Sequence, residues 1–517
     1  MLPEDPARVD APESKSPDLG EMLDFVTRFL FPGPRFLLVE GDAGSGKSTF
    51  LRSLVERVPG PKAYVAYHAL APSGSGEAPP TPMLLVDPQR EPGPSPPDER
   101  DPAHSPLLAF VPHDPQSPRS ATRILTELAA HVAGPPIGTV FIDSWDRGSE
   151  AYFRSRASSP SQIRNLLTPA NEQAGLQMEL ISTPANIVLA MDSKLAPTVS
   201  STADAVLSFR DDPYPPGVVH HCSITKIRGA TRGPTPSVYT LENGRFRSLP
   251  PLPADFRPHI GRTDPDPTPA AESIWPGSAA FAEAFGRLRY GGTTAFTISP
   301  HIPDPIPIAV AAPIMAHVIL SGGRVIWAPA PEVRPARLLS VLKPAIPDDF
   351  LRERLRIVSP AGDDRGLGEL RSVMLPLTRT VGEGGGTDLR TAISPGVGPA
   401  FPEAFRFLRD RPEGTPALYI ARVEGVKAAI AAAGVQLDPD TIPAVVAYYT
   451  KLARYHLVLG GPPTDPVMTA LLPMAETLLR LEMLYGRAAL VGVRPVQRPL
   501  VLDWPDPKGP YSLVPAA

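Results

Sequence analysis

Two rhythms of apolar residues alternate along the chain, and together they predict strands separated by helices. Residues 19–31 carry Leu19, Met22, Leu23, Phe25, Val26, Phe29 and Leu30 at helical spacing and predict a helix. Short unbroken apolar runs follow at 36–40, 63–67, 107–111, 139–142, 186–191 and 202–209, and they read as buried strands. Helix-like stretches fall between them at 49–58, 120–133 and 160–182. Segments 218–226 and 237–241 predict a terminal β-hairpin. Strands apolar on both faces and joined through helices imply an α/β fold with a mostly parallel central sheet flanked by helices.

The second half repeats this order. Residues 294–298 stand where 36–40 stood, 308–320 where the following helix stood, and 323–328 where the second strand stood. Runs at 355–358, 416–420 and 456–460 match the third, fourth and fifth strands. Residues 475–480 resemble 203–208, and 490–494 resemble 224–228. The halves agree in element order more than in residues, so duplication and generic α/β alternation both remain open. The predicted layout is a disordered tail over 1–17, a first domain over 18–250 with a Pro-rich insert at 71–106, a linker over 251–275 and a second domain over 276–517.

Composition narrows the class. The chain has 517 residues, enough for several domains, and its 70 prolines predict stiff connections. A net charge of −4 argues against a chain dominated by nucleic-acid binding. The single cysteine, Cys222, excludes an internal disulfide and a cysteine zinc site. The N-terminus is acidic and polar with no apolar signal core, and the longest apolar run, 306–320, is short for a membrane span and contains Pro307 and Pro313. These features predict a cytoplasmic protein with no membrane partner.

The strongest chemical signal is Gly41-Asp42-Ala43-Gly44-Ser45-Gly46-Lys47-Ser48, followed by Thr49. It matches G-x-x-x-x-G-K-[ST] and lies between a predicted strand and a predicted helix. That order turns loop amides and the positive end of a helix toward one point, which suits a phosphate. The glycines at 41, 44 and 46 let backbone approach without Cβ clashes. Lys47 is placed for the β- and γ-phosphates and the Ser48 hydroxyl for Mg²⁺. Asp143 ends an apolar strand, where it can hold a Mg²⁺-bound water facing Ser48, and Ser144 beside it could hydrogen-bond a phosphate or a nucleophilic water. ATP and Mg²⁺ are therefore the expected ligands, with Ser48 and Asp143 as the metal pair.

The equivalent places in the second half lack this chemistry. Ser299 to Pro305 contains no glycine and no lysine, and its prolines remove amide donors. Ala421-Arg422 replaces Asp143-Ser144. His220-His221-Cys222 lies on a predicted strand that puts the two histidines on opposite faces, which does not suit a metal. Gly384-Gly385-Gly386 reads as a linker, and Arg154, Arg156 and Arg164 as a solvated face.

The segments GDAGSGKST, TVFIDSWD, STADAVLSFR and KIRGATRGPTPSVYTLENGRF together resemble the KaiC/RadA-like branch of the RecA-type P-loop ATPases, including GvpD-like proteins, over about residues 19–250. The resemblance implies two tandem RecA-like P-loop domains, the second degenerate. It also implies a homo-oligomer assembled through the nucleotide interface, in which Lys226 and Arg228 of the K-x-R-G segment reach the neighbour's γ-phosphate. On a strand, positions 226 and 228 share a face; an ordinary basic edge that discourages strand pairing is the other reading. The Lys226 position reads Gly492 in the second half, while Arg494 stands where Arg228 does. Such ATPases place a catalytic glutamate after strand two, whereas this chain has Tyr67-His68-Ala69-Leu70 there, with Glu40, immediately before the glycine loop, and Glu150, after strand four, as substitutes. The expected function is a slow ATPase or nucleotide-dependent switch with a regulatory protein partner. The alternatives are a non-hydrolysing ATP sensor or scaffold, and a DNA-dependent ATPase.

Overall fold

The computed structural model describes residues 22–30, 35–60, 62–66, 107–112, 138–143, 185–194, 196–228, 236–249, 251–252, 256, 260, 263–268, 272–358, 367–375, 387–388, 402–432, 435–436, 455–504 and 511–516. The expectations for the tail, the 71–106 insert, the helices at 120–133 and 160–182, Tyr67 to Leu70, the arginines at 154, 156 and 164, and the glycines at 384–386 lie outside these residues. Apart from the last residue, the chain divides into two compact units, Met1–Pro213 with Val218–Pro251, and Tyr214–Gly217 with Leu252–Ala516.

In the first unit the elements are α1 (Met22–Leu30), β1 (Phe36–Gly41), α2 (Lys47–Arg57), β2 (Lys62–Ala66), β3 (Leu107–Pro112), β4 (Thr139–Asp143), β5 (Asn186–Met191), α3 (Ala196–Ser200), β6 (Ala205–Tyr214), β7 (Gly217–Ile227), β8 (Ser237–Thr240) and β9 (Arg247–Leu249). They form one nine-stranded sheet in the order β3-β2-β4-β5-β1-β6-β7-β8-β9. The pairs from β3 through to β6 are parallel, and β7, β8 and β9 pair antiparallel. Strand β1 shows why the sheet forms. Its alternation sends Leu37 and Val39 into a core with Phe50, Leu51 and Leu54 of α2, and Leu38 into a separate core with Val140, Ile142, Ile187 and Leu189. Burial on both faces requires helices or other cover on both sides, which is the parallel α/β arrangement.

In the second unit the elements are β10 (Ser273–Ile274), α4 (Ala279–Phe285), β11 (Leu288–Arg289), β12 (Thr293–Ile298), α5 (Pro305–Leu320), β13 (Arg324–Ala328), α6 (Pro335–Leu342), α7 (Asp348–Arg354), β14 (Leu355–Val358), β15 (Met374–Leu375), β16 (Thr387–Asp388), α8 (Pro402–Arg409), β17 (Ala417–Arg422), α9 (Val423–Ala432), β18 (Val435–Gln436), β19 (His456–Gly461), α10 (Pro466–Leu471), β20 (Thr477–Leu484), β21 (Arg487–Arg494), β22 (Val496–Asp503) and β23 (Ser512–Pro515). Its main sheet runs β15-β14-β13-β17-β19-β12-β20-β21-β22-β23. Without the edge strand β15, this order matches the first sheet strand for strand. The positional correspondence read from the sequence therefore extends to the pairing of every strand. Residues Phe296 and Ile298 enter a core with α5, while Ala295 enters another with Leu457, Leu459 and Met468.

Several elements depart from the sequence reading. Strand β6 continues to Tyr214 because the chain stays paired beyond the buried part, where Arg210 and Asp211 are exposed and the apolar signal stops. Helix α5 starts at Pro305 rather than at 308, since proline fits the first helical position. Strand β22, not read from the sequence, contains Pro499, and the ladder slips by a residue between Leu490 and Gly492, a bulge that accommodates it. Strand β9 spans three residues, too few for a periodic signal. Among the described residues, no helix is long and apolar enough to cross a membrane.

Candidate functional site

Strand β1 delivers the chain to Gly41 at the carboxyl end of the sheet. The following loop is tight. A Cβ on Gly41 would lie 2.6 Å from Ser45 Oγ and 2.8 Å from Phe209 Cβ. The Ser45 amide donates to the Asp42 carbonyl at 3.2 Å. Gly46, at φ 83°, turns the chain into α2, and a Cβ there would meet Leu241 at 2.8 Å. Helix α2 then begins at Lys47, so the first-turn N–H groups, which have no intrahelical acceptor, open onto the loop. Around Gly44, at φ 89°, there is open space.

Lys47 Nζ donates to the carbonyls of Gly41, at 2.6 Å, and Asp42, at 2.7 Å, and so closes the loop on itself. The Ser48 hydroxyl donates to Asp143 Oδ1 at 2.9 Å. Asp143 comes from the end of β4, with β5 lying between β4 and β1, and it is buried. Thus the loop 41–49 and Asp143, remote in sequence, meet at one place. Asp42 accepts a hydrogen bond from the Ser193 hydroxyl, just after β5. Ala43 is exposed, and the Thr49 carbonyl accepts from the Ser53 hydroxyl at 2.9 Å. Ser144 lies outside the described residues.

Two tyrosines complete the site, and neither was singled out in the sequence. Tyr64, on β2, donates its hydroxyl to Asp143 Oδ2 at 2.6 Å and stacks on Phe141. Burial and the neighbouring Asp143 carboxylate push the Tyr64 hydroxyl far up, so it stays a donor. Tyr239, on β8, donates to the Ser45 carbonyl, and burial raises its hydroxyl as well. A register argument could have found Tyr64: it pairs with Phe141, and Phe141 and Asp143 share a face of β4.

Lys226 and Arg228 do not join this constellation. Lys226 Nζ donates to the carbonyls of Ser200, at 2.6 Å, and Ser201, at 2.9 Å. Arg228 pairs with Asp204 at 3.1 Å. These partners precede β6, whose first residue, Ala205, is in register with Leu37 near the start of β1. The two basic residues therefore lie at the opposite end of the sheet from Gly41 to Ser48 of the same chain. Burial first, then the Arg228 charge, lowers the Lys226 amine below its usual range.

In the second unit, the corresponding positions hold different chemistry. Ala421 takes the Asp143 position near the end of β17, and Arg422, in the Ser144 position, is 3.3 Å from Glu424. Arg494 donates to the Ala475 carbonyl at 2.7 Å, just ahead of β20, as Arg228 donates to Thr202 just ahead of β6. No sequence model of a known protein family matches the chain, and no curated protein matches it.

Proposed function

We propose that the chain binds Mg-ATP at residues 41–49 with Asp143 and acts as a slow ATPase or nucleotide-dependent switch of the KaiC/RadA-like, RecA-type kind. In this reading the first unit is a live P-loop domain and the second a degenerate copy. The observation that carries it is the Ser48–Asp143 contact at 2.9 Å beside a loop whose glycines keep the helix N-terminus open. Hydroxyl and carboxylate are hard oxygen donors, the kind Mg²⁺ takes, and the open space at Gly44 leaves room for phosphate oxygens. Bound Mg²⁺ would neutralise charge on the phosphates. Lys47 supplies the cation beside them, the first-turn amides of α2 the dipole, and Tyr64 and Ser48 hold Asp143 in one orientation.

The position of Lys226 and Arg228, far from their own loop, supports their action on a neighbouring copy, with assembly through the nucleotide interface. Lys47→Ala should abolish ATP binding in titration calorimetry, and Asp143→Asn should remove its Mg²⁺ dependence. Lys226→Ala should retain binding and lose turnover. Full ATPase activity in a verified monomer would overturn the in-trans part.

A second reading, a non-hydrolysing sensor or scaffold, has one observation in its favour. The sequence after β2 offers no carboxylate, and both Asp143 oxygens already accept hydrogen bonds from Ser48 and Tyr64. ATP left intact after long incubation with protein and Mg²⁺ would select it. A DNA-dependent ATPase would instead require salt-sensitive DNA binding and DNA-stimulated turnover.

A further inference from the structure

Where the first unit opens a glycine loop, the second has a small cavity. It has a volume of about 50 Å³ and lies beside α5 at the carboxyl ends of β12, β13, β17 and β19. In open α/β sheets this is the end at which ligands bind. Strand register explains the opening. Phe296, Gly460 and Arg422 stand in one row across β12, β19 and β17. Gly460 has no side chain, so Ile298 and the Arg422 stem close over it; a Cβ there would lie 2.9 Å from Ile298 Cδ1 and 3.4 Å from Arg422 Cδ. Behind that row, Trp327 and Ile420 are paired and buried. The volume is several times the roughly 10–15 Å³ that one water needs. The floor, apolar apart from the Trp327 N–H, offers too few polar partners to hold water, and an apolar group of about three heavy atoms fits it better.

The mouth carries two opposite charges, Asp304 and Arg422, both half-buried. Asp304 directly precedes α5, where an aspartate ordinarily accepts from the amide of the second or third helical residue. Here the third is Pro307, which has no N–H, and the amide of the second, Ile306, donates to the Pro303 carbonyl at 3.0 Å. Among the described residues the Asp304 carboxylate accepts no hydrogen bond and joins no ion pair. Arg422 is held from one side. Its Nε and Nη2 donate to the two Glu424 carboxylate oxygens, each at 3.3 Å, which leaves Nη1 without an acceptor among the described residues.

We propose that this cavity binds one small apolar α-amino acid, of the size of valine. The side chain fills the apolar floor, the ammonium faces Asp304, and the carboxylate faces Arg422 Nη1. Charge complementarity selects the zwitterion. An amine alone would bring a positive charge beside Arg422, and an acid alone a negative charge beside Asp304, whereas the amino acid matches both. The site is separate from residues 41–49 and does not rest on nucleotide binding there.

The test is titration calorimetry of the full-length chain with L-valine, which should show one saturable site per chain at millimolar concentrations. Three probes each remove one contact: isobutylamine lacks the carboxylate, isovalerate the ammonium, and glycine the side chain. Each should bind at least about tenfold more weakly than valine. L-Phenylalanine, too large for the floor, should not compete. Asp304→Asn and Arg422→Gln should each weaken valine by about tenfold or more, since each leaves one ligand charge without its partner. Ala311→Leu, at the half-buried mouth, should block entry. Circular dichroism confirms that each variant folds, and the probe series on the unaltered chain decides the matter where one does not. Lys47→Ala should leave valine affinity unchanged, so failure of the ATP site and failure of this one are read separately. The proposal is overturned if valine gives neither saturable heat nor a change in tryptophan emission. It is equally overturned if valine affinity ignores both charge substitutions, or if isobutylamine or isovalerate binds as tightly as valine.

Discussion

Asp143 accepts hydrogen bonds from Ser48 at 2.9 Å and from Tyr64 at 2.6 Å, on different carboxylate oxygens, while almost entirely shielded from water. Removing the Tyr64 hydroxyl takes a 2.6 Å donor away from a buried carboxylate. Tyr64→Phe should therefore cost about 1–3 kcal/mol in urea unfolding. It should also weaken nucleotide binding with Mg²⁺ more than binding without it, because only the former uses the Asp143 orientation; equal effects would reduce Tyr64 to a structural role. His456 in the second unit gives a pH-dependent counterpart. Its Nδ1 faces the Arg289 carbonyl at 2.7 Å and its Nε2 faces the Thr294 hydroxyl at 2.9 Å. Burial pulls its pKa down to about 4 from 6.5. Between those values the unfolded chain binds a proton that the folded chain does not. This contribution is therefore complete above pH 6.5 and is lost as pH falls toward 4, up to about 3 kcal/mol in all. Burial also lowers His221 and His317, which act in the same sense. Denaturant unfolding at pH 7.5 and pH 5, compared with His456→Gln, should show a smaller pH dependence in the variant.

At the scale of the element, the loop from β1 to α2 depends on two separate properties of Gly46. Its φ of 83° is strained for any other residue, and the site where a Cβ would go is filled by Leu241, 2.8 Å away. Gly46→Ala should destabilise the first unit by about 1–3 kcal/mol and displace the start of α2, with nucleotide affinity falling in parallel. Adding Leu241→Ala relieves the clash but not the dihedral strain. The double variant should then recover part of the affinity in calorimetry, and no recovery would assign the whole effect to the backbone. Gly44 offers the contrast: its φ is 89°, but nothing lies within 4 Å of a Cβ there, so only strain opposes substitution.

Across the whole molecule, what the sequence revealed depended on whether a feature is local. The glycine loop 41–48 stood out in the sequence because its glycines, lysine and serine are contiguous, and Asp143 because it ends an apolar strand. Tyr64 and Tyr239 reach the site only through strand pairing, and no run of residues records which strand lies beside which. The order of elements along the second unit was legible from its correspondence with the first, whereas β22, which contains Pro499, was not read from the sequence. The two units also make a binding measurement that resolves them. Of the four tryptophans, Trp275, Trp327 and Trp504 belong to the second unit, and Trp145 alone to the first. Tryptophan emission therefore follows mainly the second unit, while far-ultraviolet circular dichroism follows both. A ligand that binds only the folded first unit stabilises it by RT ln(1 + [L]/Kd), about 2.7 kcal/mol at a hundredfold excess over Kd. Mg-ATP should then move the dichroism transition of the first unit to higher urea and leave the emission transition in place. Lys47→Ala should abolish the shift. An equal shift of both signals would mean either that the units unfold as one or that the second unit also binds nucleotide. Lys47→Ala separates these, since a shift that survives the substitution places nucleotide in the second unit, where Ala421-Arg422 replaces Asp143-Ser144.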